Sequence, residues 1–310
     1  MSGERVLLTG ATGFVGRHLL HDLAARGYRM QTAGRTAKPA SPDVEHVAIG
    51  DLGTSVDWLP VLEGVDHIVH SAGLAHADSE IPEGRYQAVN TQATLALARA
   101  AQAAGVRRFV FLSSIRAQSG PVSDKPLSEA DIPAPTDAYG RSKLAAEQGL
   151  AELDLDWIAL RPVLVYGPGV KANMAALLKL ARLPLPLPLG GLSAKRSLLA
   201  IENLAEAVAF ALSEACPARR SHIVSDPEPL SVADMLAAMR AGLGRGPGLI
   251  PIPSSLLALA ARMAGRGAAY ERIANGLVAP PAALLSAGWR PPVETKAALA
   301  RLAARPADAG

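Results

Sequence analysis

The sequence predicts an α/β protein, a doubly wound parallel sheet followed by a smaller C-terminal lobe. Three observations predict it. Short apolar and β-branched runs alternate with helical-period segments up to about residue 165. Gly10, Gly13 and Gly16 follow the first of those runs, one at every third position. Tyr139 and Lys143 stand four residues apart on a segment that reads as helix. With 310 residues, 49% of them apolar, the chain is long enough for a large domain and a small companion.

Residues 5–9 (RVLLT) form the first strand, and residues 14–26 place Leu19, Leu20 and Leu23 at helical spacing. The glycines therefore sit on a strand–turn–helix, the context that a dinucleotide fingerprint requires. One glycine makes the turn, one lets backbone approach a pyrophosphate, and one lets helix pack on strand. The candidate cofactor residues on this turn are Gly10, Thr12, Gly13, Phe14, Val15 and Gly16. The second strand spans 29–33. A carboxylate that would hold ribose hydroxyls is expected just past it, and Gly34-Arg35 stands there instead. A guanidinium suits a 2′-phosphate, so Arg35 favours NADP(H), with NAD(H) as the alternative. A third strand at 45–49 leads to Asp51-Leu52, placed to meet an adenine amino group or to cap a turn.

Strands at 67–71, 108–112 and 157–161 alternate with helices at 87–104 and 139–152. Such alternation gives a parallel sheet covered on both faces, with ligands outside the carboxyl ends of the strands. Beyond Pro168 the alternation breaks up. Helices at 173–182, 202–213, 231–243 and 254–264 mix with short extended pieces at 196–200 and 221–225. This divides the chain into a dinucleotide-binding Rossmann domain at 1–168 and a substrate lobe at 169–310. A segment near 196–212 returns to the first domain. Residues 183–191 (LPLPLPLGG) form a stiff connector.

On one helical face, a phenol and an ammonium at this spacing are neighbours. The cation should lower a phenol pKa that is ordinarily near ~10, making Tyr139 a proton donor or acceptor close to neutral pH. Ser114 ends the buried strand RFVFL at the cofactor edge of the sheet. The segment 116–138 contains four prolines and leads straight into Tyr139, which suggests a lid over the site.

Net charge is only +3 with scattered basic residues, so no nucleic-acid partner is expected. A single cysteine, Cys216, precludes an internal disulfide framework and reads as a small apolar filler. The chain runs directly into its first strand, and no stretch reaches a membrane span's ~20 apolar residues. A cytoplasmic protein is expected. Residues 254–264 form an amphipathic segment, read as a packing helix of the small lobe with a membrane-surface helix as the other reading. No metal site is expected.

Together the glycine turn, the Ser113-Ser114 pair and the Tyr139–Lys143 spacing resemble the extended short-chain dehydrogenase/reductases, in their NAD-dependent epimerase/dehydratase branch. Other stretches share the resemblance: HSAGLAHA (70–77), Val89-Asn90, SEADIPAPTDAYGRSKLAAE (128–147), LRPVLVYGPG (160–169), KRSLLAIENLAEA (195–207) and GWRPP (288–292). The resemblance implies that Tyr139 is the general acid/base and that Lys143 tunes it and holds the nicotinamide ribose. It places Ser114, with Ser113 beside it, on the substrate oxygen. Ala72 and Gly73 pass behind the cofactor, Pro162 and Val163 lie near the nicotinamide, and Asn90 is structural. It also implies a nucleotide-sugar substrate, UDP-linked, held by Arg196 at the diphosphate with Asn173 and Lys171 nearby. It further implies a homodimer, formed through the 87–104 and 139–152 helices as in related enzymes.

Three departures from that family narrow the reaction. Ile115-Arg116 follows the catalytic serine where the 4,6-dehydratases carry two acids. Gly34-Arg35 replaces the acid of tightly NAD-bound 4-epimerases. Leu164 replaces an asparagine after the sixth strand. These changes favour NADPH-dependent reduction of the 4-keto group of a UDP-4-keto-6-deoxy-hexosamine, a surface-polysaccharide precursor. A UDP-sugar 4-epimerase is the first alternative, and a non-catalytic dinucleotide sensor or scaffold the second.

Overall fold

The computed structural model describes residues 3–42, 44–74, 81–170, 172–265 and 267–305. Lys171 and the last part of the HSAGLAHA stretch (75–77) lie outside the described residues. Seven strands form the main sheet: β1 (Arg5–Thr9), β2 (Arg29–Gly34), β3 (Glu45–Ala48), β4 (His67–His70), β5 (Arg108–Leu112), β6 (Trp157–Pro162) and β7 (Arg220–Val224). Their order is β7-β6-β5-β4-β1-β2-β3, and every pairing is parallel. The order reverses at β1, so the crevice above β1 and β4 is where a doubly wound sheet takes its ligand.

Strand alternation decides what covers each face. Val6, Leu8, Val69, Val110, Ile158 and Leu160 point to the side covered by α1 (Phe14–Ala25) and α5 (Ile201–Leu212). Leu7, Ile68, Phe109, Phe111, Trp157 and Ala159 point to the other side, under α2 (Ala93–Ala103) and α3 (Ala138–Ala151). Both faces are apolar, so these strands read as nearly unbroken hydrophobic runs. The lobe has its own core, built from α4 (Ala172–Arg182), α6 (Val232–Gly242) and α8 (Thr295–Ala304), with α7 (Ser254–Met263) lying outside it.

The chain returns to the sheet further along than its apolar pattern suggests. The extended piece expected in the lobe at 221–225 is β7, which pairs with β6 from Arg220 to Val224 and completes the sheet. The 87–104 helix is also interrupted: Gln87–Gln92 is a π turn preceding α2. It aims Asn90 at the loop behind β4, where its amide bonds Leu74 N and O at 2.8 and 3.1 Å and Ser142 Oγ at 3.0 Å. This is the structural role expected of Asn90.

Asp226 joins lobe to sheet. Its buried carboxylate accepts hydrogen bonds from Ala200 N (3.0 Å), Asn203 Nδ2 (2.7 Å) and Tyr166 Oη (3.1 Å). Burial outweighs those bonds and pushes its pKa up to about 6 from 3.8. The folded state thus binds this proton more tightly than the unfolded state does. Stability on this account falls as pH rises from about 4 to about 6, by on the order of 3 kcal/mol, and is level above. The Tm difference between wild type and Asp226→Asn should therefore shrink or reverse over that window; a constant difference would refute it.

Candidate functional site

One cleft of about 570 Å³ opens above the carboxyl ends of β1, β4, β5 and β6. Gly10, Gly13, Phe14, Val15 and Gly16 form one wall. Gly10 has a φ of +75°, and a Cβ there would sit 2.7 Å from Ala72 N. A methyl on Gly16 would run into the Gly10 carbonyl oxygen. No side chain caps α1 at Gly13, so its first-turn N–H groups are left for an anion such as a pyrophosphate. This cradle fits a dinucleotide. Gly16→Ala should lower stability by roughly 1–3 kcal/mol and abolish dinucleotide binding, measured by thermal unfolding and by fluorescence titration with NADH and NADPH.

Ser114, Tyr139 and Lys143 meet at the base of the cleft. Ser114 leaves β5 in an extended conformation; its Oγ accepts Arg116 N–H at 3.2 Å, and its hydroxyl bonds the Tyr139 phenol. Tyr139 lies on the first turn of α3. That turn is capped by Asp137, which accepts Gly140 N–H at 2.6 Å and pairs with Arg116. One turn on, Lys143 Nζ donates to the Leu112 carbonyl at 2.8 Å and stands 4.5 Å from the centre of the Phe111 ring. Burial pulls the lysine pKa down to about 8.

The expected acidification of Tyr139 by Lys143 is corrected by this geometry. Burial is the largest influence on the phenol and raises its pKa; the Asp137 carboxylate adds to the rise, while the Ser114 bond and the Arg116 charge oppose it. Lys143 is engaged by the Leu112 carbonyl and the Phe111 ring. The Tyr139 phenol is thus neutral near pH 7.

Seven parallel-paired strands, a glycine cradle and a Ser–Tyr–Lys cluster invite comparison with known proteins. The sequence pattern of the NAD dependent epimerase/dehydratase family matches residues 6–224. The chain belongs to that family. It is an enzyme of the extended short-chain dehydrogenase/reductase type. A UDP-glucose 4-epimerase of Vibrio cholerae is 35% identical over 300 residues, covering 93% of this chain and 91% of the relative. A 3-diazoavenalumate denitrifying reductase of a Streptomyces species is 31% identical, covering 93% and 96%. Among solved structures, the Thermus thermophilus UDP-glucose 4-epimerase in complex with NAD superposes with a TM-score of 0.71 at 25% identity, covering 96% of this chain and 97% of that one. The family therefore spans epimerisation and reduction at this level of similarity.

Other residues expected at the site are spread from the cleft wall to the solvent-facing side of the lobe. Gly73, Ser113, Pro162, Val163 and Arg196 line the cleft with Ser114, Tyr139 and Lys143. Arg196 enters from the lobe and donates to Asn275 O at 2.8 Å. Ala72 lies behind the glycine turn, its N–H donating to Thr9 Oγ1 at 3.2 Å, and Thr12 is exposed on the turn. Arg35 is exposed past β2, and Leu52 packs against the α2–α3 side of the sheet. Asp51 is held by Gly53 N–H at 2.7 Å and by both oxygens on Arg85 at 2.8 and 2.6 Å, bonds that hold its pKa below the usual carboxylate value. Asn173 does not line the cleft. The phase of α4 buries Met174 and Leu177 in the lobe core and turns Asn173 to solvent.

The sequence reading missed the support beneath the cluster. Glu147, two turns beyond Tyr139 on α3, is buried and accepts from Ser113 Oγ, from Arg161 Nε at 3.1 Å and from Ser221 Oγ at 2.7 Å. Arg161 also donates to Gln118 Oε1, and Gln118 Nε2 to Asp131 O at 2.7 Å. One carboxylate thus ties the helix bearing Tyr139 and Lys143 to the ends of β5, β6 and β7. The 116–138 segment is fastened as well, in place of the swinging lid its length suggested. Leu127 N donates to Val278 O at 2.8 Å, and Glu129 accepts Ile223 N–H at 2.9 Å.

Proposed function

We propose that the protein reduces the 4-keto group of a UDP-linked 4-keto-6-deoxy-hexosamine, with NADPH preferred over NADH. The observation that carries this reading is a neutral phenol bonded to Ser114 in a cleft whose dinucleotide end has Gly34-Arg35 instead of an acid. A bound nicotinamide dinucleotide supplies the hydride. Tyr139 gives its proton to the forming C4 alkoxide, and Ser114 donates a hydrogen bond to the same oxygen. The Lys143 ammonium, anchored on the Leu112 carbonyl, holds the nicotinamide ribose. Gly10, Gly13 and Gly16 hold the pyrophosphate, Pro162 and Val163 shape the nicotinamide pocket, and Arg35 holds the 2′-phosphate. Arg196 takes the sugar-nucleotide diphosphate from the lobe side. Lys171 and Asn173 stand near the nucleotide in the sequence alone, and Asn173 faces solvent.

The similarity to the Vibrio cholerae enzyme favours a second reading, UDP-sugar 4-epimerisation. The two readings differ in cofactor balance. A reductase oxidises one NADPH for each 4-ketosugar consumed. An epimerase interconverts UDP-sugars, retains its dinucleotide through purification and consumes none. Stoichiometric NADPH oxidation with a UDP-4-keto-6-deoxy-hexosamine supports reduction; UDP-glucose epimerisation by protein carrying NAD refutes it. A further expectation follows from Lys143. Its charge is lost as pH rises through about 8, so kcat/KM should fall above that pH with the slope of one proton. A profile flat to pH 10 would remove the ammonium from the mechanism.

A further inference from the structure

The lobe carries a helix with apolar residues facing outward as well as inward. On α7, Leu257 faces the lobe core, whereas Leu256, Leu259 and Met263 face outward at 57%, 56% and 83% exposure. An apolar helix face on a surface marks a contact site. Leu183, Leu185 and Ile250 are exposed on adjoining segments of the same lobe. Arg240 fastens those segments together by donating to the carbonyls of Leu183 (3.1 Å), Leu185 (2.7 Å), Pro247 (2.9 Å) and Gly248 (2.9 Å).

Charge selects what covers this face. The whole chain has 31 basic and 28 acidic residues, but two segments of the lobe are one-signed. Residues 163–201 contain five lysines and arginines, residues 235–270 contain four arginines, and neither has a carboxylate. Arg245 and Arg262 are exposed, and Arg245 donates to the Arg182 carbonyl at 2.7 Å. A two-fold dimer through this patch would set cations against cations. Among the described residues no helix is long and apolar enough to cross a membrane. We infer that α7 lies on an anionic lipid bilayer, with Leu256, Leu259 and Met263 at the acyl boundary and Arg245 and Arg262 at the headgroup phosphates.

The test is co-sedimentation of the full chain with phosphatidylglycerol–phosphatidylcholine vesicles and with pure phosphatidylcholine vesicles. The expected result is binding to the anionic vesicles only, weakened by salt and by about fivefold for each of Arg245→Gln and Arg262→Gln. Leu259→Glu with Met263→Glu should abolish it while Tm and dinucleotide affinity stay unchanged. Met263→Trp should tighten it, a readout that does not depend on how well the charged variant folds. Failure to sediment with anionic vesicles overturns the inference. So does unchanged binding by Met263→Trp, or a dimer in light scattering that Met263→Glu dissociates.

Discussion

Tyr139→Phe should reduce 4-ketosugar turnover about 10²–10⁴-fold, the range for removal of a positioned proton donor. The substitution deletes one oxygen. The ring keeps its place 6.3 Å from that of Tyr86, and the Asp137 cap that starts α3 does not involve the hydroxyl. Thermal stability and dinucleotide affinity should therefore stay close to wild type, which separates a chemical role from a structural one. The loss should fall on kcat and kcat/KM together, because the donated proton matters only as the alkoxide forms. Turnover near the wild-type rate, followed by NADPH oxidation in the near ultraviolet, would assign the proton to another group.

Glu147→Ala should destabilise the fold by about 3–5 kcal/mol, the effect of stranding a buried cation. Arg161 would lose both carboxylate oxygens, and the hydroxyls of Ser113 and Ser221 would lose their acceptor. The measured quantity is the urea midpoint at constant m. A companion variant sharpens the reading. Glu147→Leu combined with Arg161→Met replaces the pair by apolar groups, and should recover most of the loss if the damage is electrostatic. Equal instability of the single and double variants would mean that the stranded Arg161 charge is not the cause, and that the acceptor lost by Ser113 and Ser221 is. Catalysis in the double variant should remain impaired, since Tyr139 and Lys143 would sit on a helix no longer tied to Ser113.

What was legible in the chain was local. The glycine turn, Ser114 and the Tyr139–Lys143 spacing are short-range patterns whose meaning follows from helix and strand periods. The described helices 14–25, 138–151, 201–212 and 254–263 start and stop within one residue of their expected limits. What the pattern left open was partnership across the sequence. Nothing around Glu147 names Arg161 or Ser221 as its partners; they converge only when β6 and β7 lie side by side. The Lys143 ammonium was expected to act on a phenol one helical turn away, yet it finds the end of β5, which no spacing on α3 reveals. Asn173 was placed by likeness, and the phase of its helix sends it outward. β7 was misread because a short strand at a sheet edge looks like any extended piece until its neighbour is known.

The π turn at Gln87–Gln92 holds one residue more than a regular helix would need. Removing any single residue there would let ordinary winding resume and swing Asn90 by about 100° around the axis. The loop from Gly73 to Leu74 would then lose its anchor, and the back of the cleft would open onto α3. The length of this segment is therefore under tighter constraint than its composition: substitutions at its solvent-facing positions should be absorbed, whereas a deletion of one should not.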